Sequence, residues 1–425
     1  MMVVWCFFTA IFAFLLHPYV FIGYYCSINY DRPMHQPHMF PVASIVAFFL
    51  FLNACQYDTS RSQFYHPAEF ESCESTGFVW SEDYYEIVPK LIGIISKKDK
   101  VTLFVGNIKK DTIHIRNVLD NYGSLPQNVR FVIMDMPLDN IWIRDYGPAF
   151  LVNRSGEKKM VQFTYFWTDP EFIKNYSTIT GIPVIVSAFQ STGGSREVNG
   201  KGTMILCEAH EMEVNQNRSK NEIEQEMFSK LGQKKIIWLK KGIPQDDNFR
   251  SGPIYDQIYP KGVNGHVDEF CRFANANTIF ISSVSEVEAN RHPILAEAKQ
   301  RMDENLEILN HSTDQDGNKF KVIEVPFAPL IISDRRSGPE GKLVTLVTSY
   351  MNFIITDSLI ILPSYVSDTS EDKVLINKEQ KVLDIFKQTF PERQIIKVRA
   401  DTLNYYSGGF HCISIHEPSA GSAIK

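Results

Sequence analysis

A surplus of positive charge is the first thing this 425-residue sequence lacks: 43 Lys and Arg face 49 Asp and Glu, for a net charge of -6. That excludes a nucleic-acid binder working through bulk basic charge, and it is compatible with a cationic partner. Low-complexity linkers are missing too, so no domain break is marked along the chain. The seven cysteines contain no CxxC pair, which leaves a zinc ribbon and a disulfide framework unsignalled. The glycines between Thr192 and Gly202 do not follow the GxxxxGK order of a phosphate loop. What is present is apolar. A hydrophobic share of 44% excludes disorder as the main state. The length allows one large domain or two to three ordinary ones. Aromatics, at 12%, suffice for stacking pockets.

Charge is wholly missing from residues 1–30, where Val3 to Leu16 forms an apolar run. A second uncharged run extends from Met39 to Cys55. It is short for a spanning helix, which needs about 20 residues. Both runs read better as a secretory leader, for which Met34 or Met39 is the more conventional start. Leu52-Asn53-Ala54-Cys55 resembles a bacterial lipoprotein signal, with Cys55 the lipidated residue. Residues 1–55 are therefore expected to be a signal/lipoprotein leader or membrane anchor, and 56–425 the folded domain. The expected location is outside the cytoplasm, in the periplasm or at the cell surface, membrane-anchored through the lipid. An uncleaved N-terminal helix is the alternative anchor.

Beyond the leader, a helix followed by an apolar strand recurs. Ser81–Lys97 precedes Val101–Val105, and Asp111–Tyr122 precedes Arg130–Met134. Ser219–Leu231, opening with Ser219 and Glu222 in capping-box spacing, precedes Lys235–Leu239. Glu286–Leu309 precedes Lys321–Val325, and Asn377–Phe390 precedes Gln394–Arg399. The pattern repeats while the sequence does not. An ordinary α/β protein satisfies it. So does a closed, pseudo-fivefold α/β arrangement, with the loops Gly242–Gly265 and Asp334–Gly341 over a central site.

Four segments carry candidate chemistry. In Tyr406-Ser407-Gly408-Gly409-Phe410-His411-Cys412 the glycine pair permits a tight turn. Strand-like alternation after it would point Cys412 into a cleft, although burial is the commoner fate of a free cysteine. In Asn264-Gly265-His266-Val267-Asp268-Glu269-Phe270, His266 and Asp268 would share one side of a strand. They suit a general acid/base with an anion, two metal ligands, or a surface pair; a zinc site would want a third ligand such as His411 or His416. In Trp142-Ile143-Arg144-Asp145-Tyr146-Gly147-Pro148, an Arg-Asp pair stands between aromatics. It reads as an exposed ion pair or as a carboxylate with an aromatic wall for a planar cation. Thr192-Gly193-Gly194 through Gly202 reads as a loop and hairpin.

Taken in order, these segments resemble one family. Trp142 to Pro148, Gly193-Gly194 with Asn199 to Thr203, Asn215 to Arg218, Gly265 to Asp268, Ser349-Tyr350-Met351-Asn352-Phe353 and Gly408 to Ile413 match the agmatine deiminase / Porphyromonas-type peptidylarginine deiminase family. The likeness runs from about His66-Pro67-Ala68-Glu69 to Pro418. It implies the pentein fold, a five-bladed α/β propeller with pseudo-fivefold symmetry.

The resemblance also implies the chemistry. A guanidinium is a poor electrophile, its charge delocalised and its pKa above about 12. Asp145 and Asp268 would hold its nitrogens, Cys412 would attack its carbon, and His266 would serve as acid and then base. The product would be a ureido group plus ammonia, with no metal or organic cofactor. Trp142, Asn352 and Glu197 are candidates for lining or orienting the site. Two carboxylates beside Cys412 should oppose its thiolate, so thiolate is expected to form with the substrate cation or as an ion pair with His266. The partner is a small cationic guanidino compound or an arginine-containing peptide. Thr192 stands where agmatine enzymes generally carry Glu, and Gly409 where many carry Asn, so agmatine, free arginine and peptidyl arginine stay open. Oligomeric state is unmarked. Two other classes stay open as well: a Cys-His-Asn amide hydrolase using Cys412, His266 and Asn352, and a non-catalytic surface lipoprotein binding cations.

Overall fold

The computed structural model describes residues 63–84, 86–107, 112–165, 171–333, 341–367 and 369–420. The expected leader, Cys55 included, lies outside them, as does most of the Asp334–Gly341 loop. No helix among the described residues is long and apolar enough to cross a membrane.

The fold is mixed α/β. Strands β1 (Cys73–Val79), β2 (Val101–Gly106) and β3 (Val129–Met134) run parallel, joined through helices α1 (Ile87–Ile95) and α2 (Thr112–Asn121). β4 (Ala149–Val152) pairs antiparallel with β5 (Lys158–Thr164), which pairs parallel with β6 (Val184–Gln190) across α3 (Glu171–Thr180). β7 (Arg196–Val198), β8 (Thr203–Cys207) and β9 (Lys235–Leu239) repeat that order across α4 (Lys220–Leu231). After a two-stranded ladder built from β10 (Ile258–Tyr259), β11 (Cys271–Asn275), β12 (Thr278–Ser283) and β13 (Lys321–Pro326) repeat it across α5 (Pro293–His311). β14 (Leu343–Val344) completes the ladder with β10. β15 (Ile354–Ile355), β16 (Leu359–Ser364) and β17 (Gln394–Arg399) repeat the order once more across α6 (Lys373–Thr389). The last strand, β18 (Ile415–Pro418), pairs antiparallel with β1. The first sheet thus has the same antiparallel-then-parallel order, with one member drawn from the far end of the chain.

The middle strands explain the continuous apolar runs in the sequence. β2, β8 and β16 are buried at every residue. A parallel strand covered on both faces loses the polar alternation of a half-exposed one. Aromatics join neighbouring sheets: Phe386 of α6 meets Phe280 of β12 at 5.1 Å and Phe353 ahead of β15 at 4.9 Å between ring centroids. Each fully buried Phe contributes about 1.5–3 kcal/mol.

The five expected helix–strand units compare unevenly with the five sheets of three or more strands found among the described residues. The first two belong to one sheet, and the β4-β5-β6 sheet with α3 was not among them. That strand escapes pattern reading because β6 has only one buried residue, Ser187. The capping box at Ser219 is present: Glu222 N–H donates to Ser219 Oγ at 3.2 Å and Ser219 N–H to Glu222 Oε2 at 2.8 Å. The helix expected from Asn377 begins at Lys373, because Asp372 caps the N–H groups of Val374 and Leu375. The helix expected from Glu286 is two: Glu286–Ala289, then α5, which starts at Pro293. Proline is favoured at a first helical position, since it has no N–H to leave unpaired.

Candidate active site

Five segments bring the candidate residues together, each just ahead of the antiparallel strand of a different sheet. Asp145 lies in the helical turn Ile143–Tyr146 before β4, and Gly194 stands before β7. Asp268 and Glu269 lie before β11, Asn352 before β15, and Cys412 before β18.

The His266–Asp268 segment is not the strand its spacing suggested. Val267–Glu269 is a turn of 3-10 helix. Asn264 and Gly265 take positive φ of 74° and 92°, and Asp246 Oδ2 accepts the N–H groups of Gly265 and His266, both at 2.8 Å. These bonds bend the chain before any pleat begins. The two side chains still meet on one side. A Cβ on Gly194 would lie 2.7 Å from His266 Nδ1 and 3.1 Å from Asp268 Oδ2, so only glycine lets the backbone pass there. Cys412 also sits in a turn rather than on the expected strand; β18 starts at Ile415.

Cys412 is 5% exposed, Asp145 9% and Asp268 0%. Asn352 sets the cysteine: its Oδ1 accepts the N–H groups of His411 at 2.8 Å and Cys412 at 3.3 Å. Its Nδ2 donates to Glu269 Oε1 at 2.8 Å and to Cys412 Sγ at 3.2 Å. A Cβ on Gly409 would lie 2.4 Å from Asn352 Oδ1, so glycine is what lets the turn pass the amide. Asn352 thus orients the thiol rather than an imidazole, unlike a Cys-His-Asn hydrolase. The thiol lies 3.7 Å from Asp268 Oδ2 and 3.6 Å from Glu269 Oε1. Burial, then Asp268, Glu269 and Asp145, push its pKa well above the usual thiol range. Among the described residues, carboxylates and an amide lie against Sγ.

Burial, with Asp268 adding to it, raises Asp145, against His266 and the Tyr165 hydroxyl, which donates to Asp145 Oδ2 at 3.2 Å. Burial raises Glu269 well above the carboxylate range, with Asp268 and Asp246 adding to it. Burial opposes ionisation of Asp268 too, but the His411 hydrogen bond and the charges of His411, His266 and Arg272 bring it below the usual value. His266 Nδ1 stands 3.8 Å from Asp145 Oδ1, and its Nε2 meets Thr192 Oγ1 at 3.0 Å. Thr192 receives the Ser195 N–H, and Ser195 Oγ donates to Glu211 Oε1 at 2.7 Å. Burial pushes Glu211 up to about 7.

Asp145, His266, Thr192, Tyr165 and His210 border a cleft of about 730 Å³. The Gly242–Gly265 loop contributes Asn248, Phe249 and Arg250 to its wall. Trp142 is half-buried beside the cysteine segment; a Cβ on Gly408 would lie 2.5 Å from its ring and 3.3 Å from Cys412 Cβ. Glu197 does not line the cleft as expected. It is buried behind it, 2.6 Å from Arg272 Nε, and accepts the Phe273 N–H at 3.1 Å. The reason is β7: its short pairing with β8 turns Glu197 toward the Arg272 guanidinium, which must be balanced where it is buried.

Asp268, Glu269 and Cys412 offer ligand atoms within 4.8 Å of one another, a spacing that suits a metal ion as well as an organic cation. His411 adds no free ligand, because both of its ring nitrogens face carboxylates. Sequence reasoning passed over Glu69, Asp246, Tyr165 and Glu211, and over Glu269 as a member of the site. Glu269 adjoins Asp268 and was in view; the others have no spacing signal.

The comparisons place this chemistry in a family. The model of Porphyromonas-type peptidyl-arginine deiminase matches residues 65–418, and the chain belongs to that family of hydrolases acting on C–N bonds. It is 26% identical over 403 residues to an agmatine deiminase of Medicago truncatula, covering 84% of this chain and 96% of that one. An agmatine deiminase of Pseudomonas fluorescens is 26% identical over 404 residues, with 85% and 98% covered. The solved agmatine deiminase of Enterococcus faecalis superposes with a TM-score of 0.66 at 22% identity, over 85% of this chain and 97% of that one. The last comparison speaks to the fold.

Proposed function

We propose that this chain replaces one terminal nitrogen of a guanidinium by oxygen, through a covalent Cys412 intermediate, leaving a ureido group and ammonia. The observation that carries the reading is three buried carboxylates around one buried thiol. Among the described residues, Asp145 Oδ1, Asp268 Oδ1 and Glu269 Oε2 accept no hydrogen bond. Buried carboxylate oxygens left unpaired are costly. A planar guanidinium, with N–H groups in a fixed fork, satisfies several at once.

The arriving cation stabilises the thiolate, and the thiol proton moves to His266. Cys412 Sγ bonds to the guanidinium carbon. The C–N bond breaks as His266 hands its proton to the leaving nitrogen. Water then adds as His266 takes one of its protons; the C–S bond breaks, the departing sulfur takes up the remaining hydroxyl proton to restore the thiol, and the proton on His266 passes to the released ammonia or to solvent. Asp145 and Asp268 hold the nitrogens throughout, and Trp142 borders the cysteine turn.

The five sheets, each with a site segment ahead of its antiparallel strand, support the pentein five-bladed reading. The substrate is agmatine, giving N-carbamoylputrescine, or free or peptidyl arginine, giving citrulline. Thr192 ahead of Gly193-Gly194 favours arginine; the agmatine deiminases named above favour agmatine. The experiment is to offer agmatine, arginine and an arginine peptide to the chain from Gln56, scoring ammonia and ureido product, with Cys412→Ala as control. Silence on all three sinks the reading. The leader belongs to the same proposal: residues 1–55 direct export, and Cys55 is lipidated. Cys55→Ser should move the protein from the membrane to the soluble fraction, and an unchanged distribution argues for the uncleaved helix.

A further inference from the structure

A second cluster stands behind the face that meets the cleft. His411 is buried, and both ring nitrogens meet carboxylates: Nδ1 lies 2.6 Å from Asp268 Oδ2 and Nε2 2.7 Å from Glu69 Oε2. Glu69 is itself clamped. Arg272 Nη2 lies 2.7 Å and Arg144 Nη1 2.5 Å from its oxygens, with His416 Nδ1 at 3.2 Å. Arg272 also donates to the carbonyls of Met351 and Phe353, which flank Asn352. The cavity on this side, about 70 Å³, borders Glu69, Arg144, His411 and His416. That is room for a water or two rather than a substrate.

We propose that Glu69 is a positioning residue for the deiminase reaction: acting through His411, it fixes the Asp268 carboxylate so that Oδ1 meets the guanidinium. This rests on the reading of Asp268 as a substrate anchor. A ring held at one nitrogen can swing, and Oδ2 swings with it; a ring held at both cannot. A neutral imidazole has one N–H and serves one carboxylate. Glu69 already has two guanidiniums, so that proton belongs on Nδ1, toward Asp268. Glu69 then faces Nε2, and it holds the ring there only when Nε2 takes up a second proton, which its charge favours. Burial, then Arg144 and Arg272, lower the His411 pKa overall, against Glu69 and Asp268, which raise it; Cys412 adjoins the ring in sequence. Glu69 thus reaches the site through Oε2 and His411, while its other oxygen anchors to Arg144 and His416.

The test is a double-mutant cycle in the full chain. Glu69→Gln keeps the shape and removes the charge. It should raise KM about tenfold or more with a smaller fall in kcat, and should shift the acid limb of the kcat/KM profile. Glu69→Asp should recover part of the loss. His411→Asn should show the same KM effect, and the double variant should be no worse than His411→Asn alone. Additive effects, or KM and profile unchanged in folded Glu69→Gln, overturn the proposal. Should Glu69→Gln fail to fold, Glu69→Asp and His411→Asn carry the cycle. If the parent turns over no guanidino compound, the functional reading fails separately. Binding of agmatine and arginine by Cys412→Ser, with and without Glu69→Asp, then still decides the positioning: weaker binding supports it, and equal binding overturns it.

Discussion

Two acidic regions share this protein's interior, and their difference is instructive. At the rear, Glu69 and Glu197 are closed off by Arg272 and Arg144 at 2.5–2.7 Å. At the front, Asp145, Asp268 and Glu269 surround Cys412 and retain oxygens without a hydrogen bond among the described residues. Both regions are largely removed from water, Glu69 somewhat less than the others at 18% side-chain exposure, so both owe a desolvation cost. The rear meets it with guanidiniums of its own chain. At the front, no guanidinium of the described residues contacts the three carboxylates, although Arg272 and Arg144 act on them from behind; that is the arrangement a guanidinium substrate completes. The rear is therefore an internal model of the complex the front awaits, and it predicts opposite outcomes for removing charge in the two places.

The largest effect tests the front. Cys412→Ser should lower ammonia release by on the order of 10³-fold or more while still binding the substrate, as turnover and calorimetry will show. Next comes the contrast itself. Asp145→Asn should lower kcat/KM by roughly 100-fold with thermal stability kept or raised, because burial already opposes its charge. Arg272→Met, at the rear, should cost about 3–5 kcal/mol, because it leaves buried carboxylates uncompensated. Equal destabilisation by both, in denaturant titrations, would erase the distinction. A smaller effect sharpens it. Because Asp268 and Asp145 raise the Cys412 thiol, Asp145→Asn and Asp268→Asn should move the pH profile of thiol alkylation to lower pH than in the parent.

The smallest effect concerns Glu211, pushed by burial up to about 7 from 4.5. A raised carboxylate contributes stability below its unfolded pKa, and this is lost as pH rises through the folded value. The Glu211 contribution to stability should fall between about pH 4.5 and 7, and Glu211→Gln should remove that part of the pH dependence, read as the difference between the two proteins' melting curves.

Legibility followed distance along the chain. The Asp145 segment, the His266–Asp268 segment and the cysteine turn each carry a local signature, so the residues that bear chemistry could be named from their neighbours. The capping box at Ser219 is local and appeared as read. What misled was local too: the i, i+2 spacing of His266 and Asp268 suggested a pleat, and only Asp246, reaching back from the preceding loop, makes it a turn. Glu197 looked like cleft lining until β7 put it against Arg272.

Residue identity alone decided that a thiol, an imidazole and several carboxylates would be available, and that the middle strands would be covered on both faces. Apolar runs and glycine pairs leave little other choice. Folding decided which carboxylates are neutralised. Glu69 and His411 are separated by 342 positions, and Asp268 and Cys412 by 144, so no pattern in the chain relates them. Coulombic balance at a buried site depends on distances of a few ångströms in a poorly screening medium. Such distances exist only once β18 has closed against β1 and brought Cys412 to the carboxylates.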